Sequence, residues 1–546
     1  MTYVVTSAPP NPNGDLHLGH LSGPFLGADV LRRHLAQLGH EVRHVGYSDE
    51  HSCYVPRRAH ELGRGARETA YAFGQKMQST LALADMSHDY FTRPLREPLH
   101  TEIVQRFFLD LWNKGALEVQ ELPVFRCEPC DRYLYEAEVR GACQFCAAPS
   151  DGVYCEECGR PQDPAGLAEA HCTRCGATPV LSSLRRIVFP LDRYREQLGE
   201  YYARAGEGES WRPQLRAYLD DMISRPLPDT PVSREADYGI PVPLPEWEGH
   251  ILDTWFSGIW GYVAATAGLA EAEGDPERWE RWWSDPDTEI VHFLGFDCSF
   301  SHAILWPSLL MAHGELTLPS QIIINEFYRL EGDKFSTSRG HAIWGGEFLR
   351  QVSADALRFH LCLTGPEREQ TNFYAREFDE TVDTLLVQNL QQWAGDIVAL
   401  ACEDFEKEVP DVGLLTGELA VMARKLPQEV AEALSPHSFS PQRATKLIAA
   451  AIDRLAKDLP MLRAWRTSGG VEYRMRLVTH LELLARVAAV SAPIMPGWSA
   501  YVLGRLGVAP VDPVTGTPAW PGAEPLLTAG HRLTGPLSPF FQGVHA

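Results

Sequence analysis

The stretch Asn13-Gly14-Asp15-Leu16-His17-Leu18-Gly19-His20 decides the fold because of what stands on either side of it. A β-branched run at residues 3–6 and a loop rich in Pro, Asn and Gly at residues 8–14 precede its histidines. Apolar residues then recur at helical spacing up to Leu38, and residues 41–45 alternate like a strand. Strand, helix and strand in this order predict a βαβ unit in a parallel sheet, with a site at the carboxyl ends of its strands.

Two separated motifs indicate nucleotide chemistry. His17 and His20 lie three residues apart on a predicted first helical turn, where free N–H groups favour anions, and Gly19 leaves room for a planar ring. Over 300 residues later, Gly332-Asp333-Lys334-Phe335-Ser336-Thr337-Ser338-Arg339-Gly340 forms a basic loop after a predicted strand. Such a loop can close cations and hydroxyls over a triphosphate. Taken singly, the first motif also fits two surface histidines and the second a solvated loop.

Eight of the twelve cysteines form four Cys-x-x-Cys pairs: Cys127/Cys130, Cys143/Cys146, Cys155/Cys158 and Cys172/Cys175. Two residues between cysteines let both thiolates face one ion, and two such pairs complete a tetrahedron. Because no open coordination position remains, we expect two structural zinc ions rather than catalytic ones. Nothing indicates the oxidising compartment that a disulfide framework would need. The other four cysteines are interpreted mainly as packing residues.

Composition limits the classes of protein that need consideration. The 546 residues are 45% hydrophobic and 22% charged, which is typical of a multidomain globular chain. The formal net charge of −23 argues against a general nucleic-acid-coating protein. No secretory signal and no spanning apolar segment are visible, so we expect a cytoplasmic protein without a membrane partner. Nine basic residues fall between 443 and 486, as either a solvated helical face or a polyanion-binding one.

The chain divides into five predicted segments. They are the first half of an α/β catalytic domain (1–117), an insertion with the cysteine pairs (118–235), the second half of the catalytic domain (236–328), a region around the basic loop (329–375), and a helical bundle with a C-terminal tail (376–546). Predicted strands in the second half cover 250–256, 289–295 and 321–327. Long amphipathic helices are predicted at 378–401 and 441–465, and irregular packing from 505 onward.

Taken together, the motifs resemble those of class I aminoacyl-tRNA synthetases. His17–His20 is similar to their HIGH signature, and residues 334–338 are similar to their KMSKS loop. The cysteine-bearing insertion narrows the resemblance to the methionyl-tRNA synthetase family, which implies a Rossmann (HUP-type) parallel sheet split by a zinc-knuckle insertion and followed by a helical bundle. The resemblance also implies how the cysteines pair: Cys143/Cys146 with Cys155/Cys158, and Cys127/Cys130 with Cys172/Cys175.

The resemblance implies that the chain is an ATP-dependent ligase, which forms an aminoacyl-adenylate and then transfers the aminoacyl group to a hydroxyl. Positioning and charge stabilisation dominate such phosphoryl chemistry, and Mg²⁺ accompanies the ATP. The implied catalytic residues are His17, His20, Lys334, Ser336, Ser338 and Arg339. Those implied to bind ATP are His17, Gly19, His20, Asp297, Lys334 and Thr337. The amino-acid-binding positions are Asn11, Asp49, Trp255, Tyr262, Cys298 and His302, with Asp49 receiving the α-ammonium.

Several positions depart from the family pattern. Thr337 replaces the second lysine of the KMSKS loop, so that Lys334 or Arg339 must supply its charge. In the amino-acid pocket, Asn11 stands where the family has a tyrosine, Cys298 where it has an isoleucine, and Ser257 where it has an aspartate. These replacements predict a more polar pocket and weak selectivity for methionine.

The bundle departs as well. Asn389 matches the family, whereas Trp393 replaces an arginine and Leu462 aligns with the tryptophan that stacks on the anticodon. Because a stacked base contributes ~1–3 kcal/mol, this loss weakens the case for anticodon reading, unless Trp465 and Arg466 substitute.

Three hypotheses follow. The first is a minimal methionine–tRNA ligase that acts on tRNA-Met. The second is a tRNA-independent paralogue that esterifies a small hydroxyl-bearing acceptor of the N-hydroxylysine type, as in hydrazine-forming pathways, with a cupin supplied by a separate partner. The third is a non-catalytic zinc-bearing scaffold, which the survival of both nucleotide motifs disfavours. We expect a monomer.

Overall fold

The computed structural model describes residues 1–151, 153–155, 157–205, 211–335, 341–413, 415–467, 470–510 and 517–543. These residues form two compact units. The sheet unit comprises Met1–Leu16, Arg43–Ser79 and Ser87–Glu326, and the bundle unit comprises His17–Val42, Thr80–Met86 and Phe327–Ala546. The five segments predicted from the sequence remain a prediction.

A five-stranded sheet forms the centre of the sheet unit. Its strand order is Gln321–Asn325, Thr288–Gly295, Thr2–Ser7, Glu41–Tyr47 and Tyr90–Thr92. Thr6 is paired with His292 and Val291 with Gln321, both in parallel register. A buried run such as 290–294, which is apolar apart from His292, is typical of strands covered on both faces. The predicted parallel α/β sheet is confirmed.

Helices cover this sheet. Up to residue 326 the longer ones are Tyr54–Leu62, Ala66–Leu83, Pro98–Asn113, Arg195–Ala205, Pro213–Ile223, Gly261–Ala272, Arg278–Ser284 and Trp306–His313. Large aromatic side chains fill the space between them: Phe107 stacks on Trp260 with ring centroids 4.3 Å apart. Trp260 meets Trp306 edge-on at 4.9 Å, and both are fully buried. These buried rings form part of the hydrophobic core of the sheet unit.

The insertion builds two antiparallel sheets of its own. Four strands, Glu118–Cys127, Arg132–Leu134, Val180–Phe189 and Thr230–Pro231, form one sheet. Val139–Ala142, Pro149–Ser150 and Ala168–Cys172 form the other. The strand Glu118–Cys127 ends at the first cysteine pair, Val139–Ala142 ends directly before the second, and Ala168–Cys172 ends at the last.

One predicted strand is wrong in its second half. The segment 250–256 is a strand only over His250–Leu252, and the helix Thr254–Ile259 begins directly after it. Asp253 starts this helix, because its carboxylate accepts a hydrogen bond from the Trp255 backbone N–H at 3.2 Å. The cap places Trp255 on a helix rather than in a sheet.

The bundle unit is mainly helical. Its helices are Leu26–Gln37, Ala354–Thr364, a continuous run of Ala375–Glu380, Thr381–Gln391 and Gln392–Asp404, then Glu418–Leu434, Pro441–Arg466, Val471–Ser491 and Pro496–Leu506. A small sheet contains Tyr328–Leu330, Asp333–Lys334 and Thr371–Phe373. Glu418–Leu434, Pro441–Arg466 and Val471–Ser491 pack on one another. Both predicted long helices are confirmed, and the described tail at 517–543 contains no helix or strand.

A buried ion pair lies inside the bundle unit. The Arg358 guanidinium donates to the Asp29 carboxylate at 2.6 Å, and both side chains are fully buried. Arg358 also donates to the backbone carbonyls of Pro493, at 2.7 Å, and Ile494, at 2.9 Å. The helix that follows His20 is therefore tied to two other parts of this unit.

The basic residues between 443 and 486 are mostly paired. Seven of the nine form ion pairs with acidic side chains of the bundle unit: Arg443, Arg454, Lys457, Arg463, Arg466, Arg476 and Arg486. This pairing favours a solvated helical face over a polyanion-binding surface. Among the described residues, no helix combines the length and apolarity needed to cross a membrane.

Candidate active site

His17 and His20 form a stacked pair in the bundle unit. Their ring centroids lie 3.7 Å apart with an interplanar angle of 19°. The His17 backbone N–H donates to His20 Nδ1 at 3.2 Å, and the His20 N–H donates to His17 Nδ1 at 3.3 Å. Since each Nδ1 accepts a hydrogen bond, the remaining proton of each neutral ring lies on Nε2.

Both rings are neutral at physiological pH. Burial and the neighbouring His20 lower the pKa of His17 to about 2, and burial lowers the pKa of His20 to about 4. Two parallel imidazoles with protonated Nε2 atoms can donate two hydrogen bonds to one anion. This arrangement suits a phosphate whose charge increases in a transition state.

Gly19 has no room for a side chain. A Cβ at this position would lie 3.0 Å from His17 Nδ1 and 3.0 Å from a Phe335 ring carbon. Phe335 also stacks on His17 with centroids 4.8 Å apart. The His17 and Phe335 rings lie against Gly19, and the approach of a ligand ring at this position stays a prediction.

Of the basic loop, only its beginning is described. Lys334 ends the short strand Asp333–Lys334, is exposed, and has its ammonium 4.6 Å from the Phe327 ring centroid. Ser336, Thr337, Ser338 and Arg339 lie outside the described residues, so their predicted roles stay predictions.

Asp49 stands after the strand Glu41–Tyr47, at the carboxyl edge of the sheet predicted to bear a site. Its backbone N–H donates to the Pro10 carbonyl at 3.0 Å, and a Cβ on Gly258 would lie 3.9 Å from its carboxylate. Burial raises the pKa of Asp49 to about 7, with Glu136 adding to the rise and Arg234 opposing it. A partner cation such as an α-ammonium would stabilise its ionised form.

Tyr262, His302 and Cys298 come together beside it. The Tyr262 hydroxyl lies 2.8 Å from His302 Nε2, and His302 Nδ1 lies 3.2 Å from the Cys298 carbonyl oxygen. Because that carbonyl only accepts, Nδ1 carries the proton and Nε2 accepts from Tyr262. Burial lowers the pKa of His302 to about 4, so that this imidazole is neutral at physiological pH.

Trp255 is held by a residue that the sequence analysis did not single out. Glu136, from the insertion, accepts a hydrogen bond from Trp255 Nε1 at 2.7 Å and another from the Cys53 thiol at 3.0 Å. Only 3% of Glu136 is exposed, and burial raises its pKa to about 7. Arg234, also missed, lies buried close enough to lower the pKa values of both Asp49 and Glu136. No local pattern marks either residue.

The remaining predicted pocket residues are also in the sheet unit. The Asn11 side-chain oxygen is buried and has no hydrogen-bond partner among the described residues. Ser257 is 2% exposed, and its hydroxyl reaches only the Thr254 carbonyl, at 3.5 Å. Asp297 folds back over Gly295, where a Cβ would lie 2.6 Å from its carboxylate oxygen. Gly295 is therefore required for this position of Asp297.

The eight cysteines cluster as the resemblance implied. Cys127, Cys130, Cys172 and Cys175 form one group and Cys143, Cys146, Cys155 and Cys158 the other, with all ligand atoms of a group within 4.8 Å. The Cys127–Cys175 and Cys146–Cys155 sulfur atoms are 3.5 and 3.6 Å apart. A tetrahedral ion with bonds of about 2.3 Å needs sulfur atoms about 3.8 Å apart, so that both groups fit zinc.

All four cysteine pairs share one turn. The residue after each pair has a positive φ: Asp131 49°, Ala147 61°, Gly159 68° and Gly176 74°. Glycine marks only two of these turns in the sequence. The other two adopt the left-handed conformation at a cost of about 1 kcal/mol or more, which a bound metal would offset.

Comparisons with known proteins agree with this geometry. The family model of class I tRNA synthetases (M) matches residues 3–395. The chain belongs to the methionyl-tRNA synthetase family. It is 30% identical to the methionine–tRNA ligase of Chlorobaculum tepidum, over 97% of this chain and 77% of the relative. It is 31% identical to that of Methanobrevibacter smithii, over 80% of this chain but only 65% of the relative's length.

The fold agreement extends over the whole chain. The crystal structure of Mycobacterium tuberculosis methionyl-tRNA synthetase bound by methionyl-adenylate covers 100% of both chains, with a TM-score of 0.80 and 20% identity. At this identity the match shows the shared fold, including the helical C-terminal region. Class I synthetases are ATP-dependent ligases, and this chain is a member of that class.

The bundle positions that the sequence analysis compared with anticodon-reading residues are buried or paired with neighbouring side chains. Trp393 is fully buried and donates to His480 Nδ1 at 3.0 Å, and Leu462 is fully buried too. Arg476 covers the Trp465 ring, 4.8 Å from its centroid, and Arg466 pairs with Asp404 at 2.7 Å. The predicted substitutes for a stacking tryptophan are thus already engaged.

Proposed function

We propose that this chain activates an α-amino acid with ATP to an aminoacyl-adenylate and transfers the aminoacyl group to a hydroxyl, nominally methionine to tRNA-Met. The observation that carries the proposal is the stacked, neutral His17–His20 pair with both Nε2 protons available. Two neighbouring Nε2–H donors can stabilise the charge that develops on an α-phosphate during in-line attack.

Each candidate residue takes a role of known chemistry. The two Nε2–H groups donate to the α-phosphate, and Asp49 accepts the α-ammonium of the amino acid. Lys334 stabilises the leaving pyrophosphate, aided by Ser336, Thr337, Ser338 and Arg339. Asp297 and Gly19 border the nucleotide. The amino-acid side chain is bordered by Trp255, Tyr262, Cys298 and His302. All of these groups bind or orient, since the substrate carboxylate is itself the nucleophile.

The metals have separate tasks. Each four-cysteine group holds one structural zinc, whose binding stabilises the insertion. Mg²⁺ bound with ATP neutralises phosphate charge. With four thiolates bound, neither zinc would keep a coordination position for substrate.

A small-molecule acceptor is the second candidate. Two observations favour it: the unpartnered buried oxygen of Asn11, which an apolar methionine side chain would leave unsatisfied, and the engagement of Trp465 and Arg466 by neighbouring side chains. An unsatisfied buried acceptor costs ~1–3 kcal/mol, so a polar amino acid would bind in preference.

The test is ATP–pyrophosphate exchange over all twenty amino acids, followed by charging of tRNA-Met transcript. His20→Ala is expected to lose about 10²-fold or more in exchange, as for removal of a donor to a developing oxyanion. Lys334→Ala should lose exchange too, whereas His60→Ala, which alters an exposed histidine, should not. Undiminished exchange in His20→Ala contradicts the assigned role. Preference for methionine with efficient charging contradicts the second candidate.

A further inference from the structure

A line of buried hydrogen bonds runs through the sheet unit to Tyr262, and it starts in the register of the central sheet. Thr6 and His292 are paired with each other in the parallel strands Thr2–Ser7 and Thr288–Gly295. Both side chains are fully buried, and the Thr6 hydroxyl oxygen lies 2.6 Å from His292 Nδ1. Neither residue belongs to the predicted site.

The position of the proton on His292 follows from its neighbours. The Trp306 indole, which can only donate, donates its Nε1–H to His292 Nε2 at 3.1 Å. Burial lowers the pKa of His292 well below its usual range, so that the ring is neutral. Because Nε2 accepts, the single proton lies on Nδ1 and is donated to the Thr6 hydroxyl oxygen. The Thr6 hydroxyl therefore keeps its own proton for another partner.

Tyr262 is that partner. A hydrogen bond from Thr6 opposes the rise that burial causes in the pKa of Tyr262, so that Thr6 donates and the phenol oxygen accepts. The Tyr262 and His292 rings lie against each other, with centroids 4.9 Å apart. The Tyr262 hydroxyl in turn donates to His302 Nε2 at 2.8 Å. All hydrogen bonds of the line, from Trp306 to His302, therefore run in one direction.

The direction of these bonds decides what Tyr262 can offer a substrate. Its hydroxyl donates to His302 and accepts from Thr6, so that no proton remains for an amino-acid side chain. In a dry interior, aligned hydrogen bonds polarise and strengthen one another. Thr6 takes part twice, as the acceptor from His292 and as the donor to Tyr262. Without Thr6, the phenol would lose one of these two hydrogen bonds.

We propose that Thr6 is a positioning residue for amino-acid binding: it links His292 to Tyr262 and so fixes the Tyr262 ring where the amino-acid side chain packs. The inference rests on the proposed function, because it requires that an amino acid binds beside Tyr262. Thr6 acts through Tyr262 and does not touch the substrate. A ring whose hydroxyl is already paired selects side chains by shape rather than by a hydrogen bond.

The test measures the KM for the amino acid in ATP–pyrophosphate exchange, with methionine and with the parent's best substrate among the twenty amino acids. Thr6→Val keeps the volume of the side chain and removes its hydroxyl, and it should raise this KM about three- to tenfold, as for the loss of one hydrogen bond. The kcat and the KM for ATP should stay within about twofold, since Thr6 affects only how the amino acid is held. Thr6→Ser restores the hydroxyl and should bring the KM back towards that of the parent.

Thr266 offers a matched control. It lies on the helix Gly261–Ala272, which also carries Tyr262, and it is fully buried. Its hydroxyl oxygen accepts a hydrogen bond from Trp283 Nε1 at 2.8 Å. Thr266→Val therefore loses the same kind of buried hydrogen bond outside the line. It should lower the thermal stability about as much as Thr6→Val does and leave the amino-acid KM unchanged.

Two further measurements separate a positioning role from a purely structural one. In a Tyr262→Phe background, Thr6→Val should cause no further rise in KM, because the hydroxyl through which Thr6 acts is missing. In the ¹⁵N-histidine spectrum of the parent, the His292 signal, assigned with His292→Gln, should show the proton on Nδ1. This second measurement needs no variant at position 6, so that it tests the line of hydrogen bonds even where Thr6→Val does not fold.

The outcomes distinguish this inference from the proposed function. An unchanged KM in folded Thr6→Val, an equal rise in Thr266→Val, independent effects of Thr6→Val and Tyr262→Phe, or a proton on His292 Nε2 overturns this inference alone. A parent that shows no exchange with any of the twenty amino acids overturns the proposed function, and this inference with it.

Discussion

Replacement of Glu136 by glutamine should make the protein more stable above pH 7 and leave it unchanged near pH 4. Glu136 is 3% exposed, and burial raises its pKa from the usual 4.5 to about 7. The folded state therefore keeps this proton to a higher pH than the unfolded state does. The contribution of this carboxyl group to the free energy of unfolding is fully present below pH 4.5 and is lost as the pH rises through 7.

The size of the effect follows from the shift. A difference of about 2.5 pKa units corresponds to roughly 3 kcal/mol lost above pH 7, and glutamine cannot ionise and so avoids the loss. The hydrogen bond from Trp255 Nε1 survives, because the glutamine carbonyl accepts it as well. Its amide would face the Cys53 sulfur, a weak acceptor, at a small cost.

Thermal unfolding of the parent and of Glu136→Gln between pH 4.5 and 8 measures the pH-dependent difference in stability between them. The midpoint of the transition assigned to the sheet unit should rise in the variant by about 5 °C or more at pH 8 and by little at pH 4.5. Glu121→Gln, an exposed carboxylate of the same insertion, is the control and should show no such pH dependence. A variant that is less stable than the parent at pH 8 would refute the reasoning.

The same substitution should move the pH profile of amino-acid binding. Glu136 is the largest charge effect raising the pKa of Asp49, which must be ionised to hold an ammonium. In the parent, KM for the amino acid should rise as pH falls below about 7, and in Glu136→Gln this rise should begin at a lower pH. An unchanged KM profile, measured by pyrophosphate exchange, would show that the two carboxyls do not interact.

Two further perturbations concern the metals and the bundle unit. Cys143→Ser should lower the zinc content from two ions to one per chain by elemental analysis, whereas Cys402→Ser, outside both groups, should retain two; a parent content of zero would contradict the cysteine geometry. Arg358→Met should destabilise the bundle unit by about 3 kcal/mol, because the buried Asp29 carboxylate loses its 2.6 Å partner and keeps only Arg33, at 2.8 Å. Arg466→Met removes an exposed pair and should cost at most about 1 kcal/mol in the same denaturation experiment.

Local patterns in the sequence determined much of this protein. A β-branched run predicted the first strand. Helical periodicity predicted the helix after His20 and the long helix Pro441–Arg466, because amphipathic spacing reflects which face is buried. The spacing of Cys-x-x-Cys predicted thiolate metal sites, since the two ligands of a pair are set by a local turn. The histidine spacing predicted both imidazoles on one face of a helical turn, because three residues make about one turn, and the structure adds that the rings stack.

Tertiary structure decided what depends on distant residues. Glu136 meets Trp255 from 119 positions away, and its pKa reflects burial, which no neighbouring residue in the sequence reveals. The positive φ at Asp131 and Ala147 came from the turn that the cysteines share, not from glycine. The end of the strand at Leu252 followed from the cap made by Asp253. Hydrogen bonding, burial and ion pairing between remote segments select these features, and local propensity carries no record of such partners.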